Sequence, residues 1–124
     1  MHTTSCLQGC GNDDLCLKRW TCMAFDRKEG EMIITKHTAS IFIDTDFERM
    51  VRNAGITTII FTGISTEFGV ESSARDALNR DFYPVVASDA ASSSNKDAHA
   101  RSLQNMERFL TVASTNELTN IWSG

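Results

Sequence analysis

From Glu31 onward, strand-like and helix-like segments alternate, which predicts an α/β fold: a parallel sheet covered by helices on both faces, in three α/β/α layers. Two segments carry the prediction. "ITTIIFTG" is a β-branched run of strand length with little polar alternation, as expected of a strand buried on both faces. A turn later, "ESSARDALNR" sets Glu71 before Arg75 and Asp76 before Arg80, acid–base pairs on the wet side of a helix. Val70, Ser73, Ala74 and Ala77 form its narrow face of small residues, suited to close packing on a sheet.

The elements read in order as follows. "EMIIT" is a short buried strand, and "KHTASIFI" a loop carrying apolar anchors. "DTDFERMVRNAG" is a helix with Thr45 and Glu48 as a capping box, in which each side chain satisfies a free backbone N–H. Phe47, Met50, Val51 and Ala54 share its buried face, and Gly55 takes the left-handed cap. "FYPVVASDA" is a strand whose only proline, Pro84, suits its first positions rather than the middle of a ladder. "KDAHARSLQNMERFL" is a helix with His99, Leu103, Met106 and Leu110 in one stripe, for which a satisfied core histidine outweighs a catalytic one. "TVAS" is a last strand, and "TNELTNIW" a helix planting Leu118, Ile121 and Trp122 on the sheet. The expected sheet has about four strands, with "ITTIIF" inside, flanked by "EMIIT" and "YPVVAS".

A chain of 124 residues with 41% hydrophobic content suits one domain. A net charge of −4 argues against nucleic acid or an anionic membrane as partner. With no membrane-length apolar run and no signal-like start, a soluble cytoplasmic protein is expected. Residues 1–30 lack a sustained period and read as an irregular leader, the least ordered part of the chain. They hold all four cysteines, Cys6, Cys10, Cys16 and Cys22. That spacing fits neither paired zinc ligands nor a redox C-x-x-C, so free thiols are expected and no metal or cofactor is implied.

In a parallel sheet, ligands gather at the strand carboxyl ends. Lys36, Gly63 to Ser65, and Ser88 with Asp89 are expected to share that edge. Lys36 offers a mobile cation, and the helix beginning near Glu67 offers N–H groups, together suiting a carboxylate or oxyanion. The same lysine also reads as an ordinary exposed one. No histidine stands near Ser65, Thr66, Ser72 or Ser73 in the sequence to activate a nucleophile.

The stretch "KHTASIFIDTDFERMVRNAGITTIIFTGISTEFGVESSARDALNRDFYPVVASDAASS" resembles the core of the isochorismatase-like cysteine hydrolases, which include nicotinamidases and other small-amide hydrolases. The most specific part is Gly63, the short turn, Val70, Glu71, and then Ala74, Arg75, Asp76 and Ala77. The resemblance implies a Rossmann-like domain over residues 31–124, with the family's first strands missing. It also implies a Cys, Lys and Asp triad, in which a thiolate attacks a carbonyl or amide carbon. Lys36 matches the triad lysine, while the nucleophile position before Val70 is held by Gly69. The aspartate belongs to an opening strand of which this sequence has no counterpart. Ser65, Thr66, Glu67, Phe68 and Val70 make up the implied binding turn, with a non-proline cis peptide at Ile64–Ser65.

Three functions compete. The first is a degenerate hydrolase domain that keeps a small-molecule pocket. The second is an active hydrolase of small amides in which Glu67 or a water replaces the thiol. The third is a noncatalytic structural or interaction fragment. Uncovered sheet edge also predicts a homo-oligomer.

Overall fold

The computed structural model describes residues 29–124. In chain order it contains α1 (Phe47–Asn53), β1 (Thr58–Ile64), a π-helical turn (Thr66–Val70), α2 (Glu71–Asn79), β2 (Tyr83–Ser92), α3 (Lys96–Met106), β3 (Thr111–Ala113) and α4 (Thr115–Ser123). The strands are parallel in the order β1-β2-β3, with Thr58 opposite Tyr83 and Val85 opposite Thr111. One face carries Ile59, Phe61 and Val86 against Phe47, Val51, Ala74, Ala77 and Met106 from α1, α2 and α3. The other carries Val85 and Ala87 with Ile60 against Leu118 of α4. The α/β architecture with helices on both faces is therefore as the sequence predicts.

Four expectations fail locally. "EMIIT" forms no strand; Met32 and Ile33 are 61% and 68% exposed, and only Lys36 makes a bridge. A short apolar run reads alike whether or not a neighbour pairs with it. Among the described residues β1 therefore lies at the edge of the three-stranded sheet, not inside it. Its Ile59 and Phe61 are buried while Ile60 and Thr62 are only half-buried, so its two faces are unequal. The Thr45–Glu48 box is also absent. The Thr45 hydroxyl turns back to the Ile41 carbonyl, and Glu48 is drawn instead to Arg52 and Arg80. On α4 only Leu118 reaches the sheet; Ile121 and Trp122 are 71% and 62% exposed. The leader and its cysteines lie outside the described residues, apart from Glu29 and Gly30.

The end of α1 is as expected. Gly55 has φ of 70°, and its N–H meets the Arg52 carbonyl while the Ile56 N–H meets that of Val51. This pair of bonds defines a left-handed helix stop. Gly55→Ala is expected to lower stability by about 1 kcal/mol, because alanine meets the steric penalty that glycine avoids. A urea melt with an unchanged midpoint would contradict this.

Candidate functional site

The carboxyl end of β1 leads through Gly63, at φ 114°, and a cis Ile64–Ser65 peptide into the π-helical turn. The expected helix start near Glu67 is thus a wider turn, and α2 begins only at Glu71. Within it the Phe68 and Val70 N–H groups both bond to the Ser65 carbonyl at 3.2 Å. Two of the amides expected to face an oxyanion are therefore already engaged.

Lys36 is neither mobile nor exposed. It is 2% exposed, and its ammonium donates to the Ala39 carbonyl. Among the described residues no carboxylate pairs with it. It faces Gly69: a Cβ built on that glycine would lie 3.5 Å from Lys36 Nζ, 3.7 Å from the Ala39 oxygen and 3.8 Å from the Ile64 oxygen. These are ordinary contacts, so the turn has room for a Cβ at this buried glycine. The resemblance names Lys36 and Gly69 as two positions of one site, and a Cβ at residue 69 would stand in contact with Lys36 Nζ.

The other turn residues divide. Thr66 is fully buried, with its hydroxyl 2.7 Å from Nδ1 of His99. Glu67 accepts from the Ser93 hydroxyl at 2.8 Å, and its second oxygen is buried without a partner. Phe68 is 46% exposed, while Val70 joins the core. Ser88 and Asp89 do not join this group. β2 continues to Ser92 through an irregular register, the Ser88 hydroxyl bonds to the Ala113 carbonyl, and Asp89 accepts from the backbone and side chain of Thr115. Those Thr115 bonds, side chain first, hold the Asp89 carboxyl below the usual range. Among the described residues, no group of His, Cys, Asp and Glu could hold a metal, and no helix is long and apolar enough to cross a membrane.

Comparison with known proteins decides the family. The model of the isochorismatase domain matches residues 21–117. The chain belongs to the isochorismatase family. It is 37% identical over 98 residues to the uncharacterized isochorismatase family protein YecD of Escherichia coli O157:H7, covering 78% of this chain and 52% of that protein. It is 33% identical to the ureidoacrylate amidohydrolase RutB of Methylobacterium radiotolerans, covering 69% and 34%. The crystal structure of an isochorismatase-like hydrolase from Alkaliphilus metalliredigens superposes with a TM-score of 0.77 at 28% identity, covering 79% and 55%. The chain thus spans about half the length of YecD and a third of that of RutB.

In this isochorismatase-family chain, the residues missed by sequence reading are those that fasten the turn. Ser102 and Asn105 of α3 bond to Glu71, which also pairs with Arg75 at 2.8 Å. The available signal was the polar spacing of His99, Ser102 and Asn105 at every third position. Burial would raise the Glu71 carboxyl, but the bonds from Ser102, Arg75 and Asn105 outweigh it and hold its pKa below the usual value. A depressed folded-state pKa contributes stability above the unfolded-state value, lost as pH falls through the folded one. Glu71→Gln is therefore expected to be less stable than the parent at pH 7, with the difference shrinking as pH falls below about 4. Chemical melts at both pH values measure it; a deficit that grows in acid would be the wrong sign.

Proposed function

We propose that this domain binds a small carboxylate, amide or oxyanion compound beside Lys36, and that it does so as a degenerate hydrolase without thiol chemistry. The observation that carries this reading is the buried Lys36 ammonium facing a glycine. Among the described residues no carboxylate pairs with this ammonium; burying it so is costly, and a ligand that accepts from it offsets that cost. By resemblance Lys36 is the triad lysine and Gly69 holds the nucleophile position, so the lysine serves binding more than turnover. For Glu67 as a replacement nucleophile, one carboxylate oxygen accepts from Ser93 and the other has no partner among the described residues. RutB, as an amidohydrolase of ureidoacrylate, makes ureido carboxylates natural probes.

Ligand-observed NMR with acetate, acetamide and ureidoacrylate tests the reading. At least one probe should bind, and Lys36→Met should weaken it by about tenfold, the loss of a charge-assisted hydrogen bond. Absence of binding, or equal binding to Lys36→Met, would contradict it.

Among the described residues β1 is an edge strand, which also supports self-association, since sheet edges recruit other chains. Light scattering should then show a dimer or larger species, and a monomer at high concentration would exclude it.

A further inference from the structure

The π-helical turn carries no side-chain cap of its own at Ser65. It is fastened from α3. The His99 ring meets the Thr66 hydroxyl at 2.7 Å, the Ser102 hydroxyl reaches the Thr66 carbonyl at 3.5 Å, and Ser102 and Asn105 hold Glu71 just beyond the turn. These residues recur every three positions, forming one polar stripe along α3. Ser102 is 5% exposed and Thr66 fully buried, so the bond between them is made away from bulk water, where an unmade one is costly. On the other side of the turn, any side chain added at residue 69 would begin 3.5 Å from the Lys36 ammonium.

We propose that His99 is a positioning residue: through Thr66 it sets the distance between position 69 and Lys36. This rests on the reading of the Lys36–Gly69 edge as the ligand site. The His99 ring bonds to Thr66, not to Lys36, and acts by holding the first residue of the turn. A satisfied histidine that served packing alone would leave the distance from Lys36 to position 69 unchanged when its bond was removed.

The reporter is a thiol placed at the turn, Gly69→Cys, with its β-carbon labelled with ¹³C and its titration followed by NMR. Lys36 at this range favours the thiolate, so adding Lys36→Met should weaken thiolate formation by about tenfold. If His99 positions the turn, adding Thr66→Val or His99→Ala should forfeit most of that same factor. His99→Asn, which keeps a polar atom near the place of Nδ1, should recover it. Thr66→Val removes only a hydroxyl from an isosteric side chain, which covers the case in which His99→Ala fails to fold. If Thr66→Val and His99→Ala leave the titration at the parental position, or His99→Asn behaves as His99→Ala, the positioning role is overturned. If Lys36→Met itself leaves the titration unmoved, the reading of the Lys36–Gly69 site falls with it.

Discussion

Gly69→Cys is expected to fold, to take up an acetyl group from an activated ester at residue 69, and still to turn over amides several orders of magnitude more slowly than a complete triad. The fold should survive because the added Cβ meets its neighbours at 3.5–3.8 Å, and the backbone there is not in the left-handed region. The thiol gains an ammonium beside it, which favours the reactive thiolate. Full turnover is not expected, because catalytic groups that act as a unit lose nearly everything when one is missing. By resemblance, the triad also needs an aspartate from an opening strand, which the stretch that carries the resemblance does not hold. Transition-state binding without the full set preserves only about 10³-fold over water. Peptide mapping after acetylation and steady-state ammonia release measure the two halves of this expectation. A variant that takes up no acetyl group at position 69, or full turnover from the single substitution, would each contradict it.

Met106→Ala should produce the largest loss of stability, about 2–5 kcal/mol. Met106 is fully buried at the end of α3, within the cluster that joins α1, α2 and the sheet. Partly buried Leu103, Phe109 and Leu110 pack against that cluster, so a cavity here loosens several contacts together. A small domain holds only about 5–15 kcal/mol in total. The variant is therefore expected near its unfolding threshold, with a much lower urea midpoint than Leu78→Ala, whose side chain is 41% exposed. Comparable midpoints for the two variants would refute the assignment of Met106 to the core.

The elements after Ile56 were legible because α2 and α3 carry helical stripes while β1, β2 and β3 are short runs of strand length between them. The link between Lys36 and Gly69 came from the family resemblance and not from strand ends, since "EMIIT" forms no strand. Contacts were not legible. Lys36 reads as a surface lysine in one dimension, yet it is buried and donates to the Ala39 carbonyl. The Thr45–Glu48 box failed because Arg52 and Arg80 attract Glu48 more strongly than a lone N–H does. The Ser114–Glu117 box has the same spacing and forms in full, with no arginine competing for the carboxylate. Side-chain competition across 32 residues, as between Glu48 and Arg80, has no local signature.

Under the proposed function, the turn at Gly69 serves as a site beside Lys36 without a thiol nucleophile. The most direct test is ammonia release from ureidoacrylate and small amides by the unaltered protein, before and after treatment with iodoacetamide. The expected result is no turnover that alkylation removes. Robust turnover abolished by alkylation would show that Cys6, Cys10, Cys16 or Cys22 serves the site, and would contradict the account.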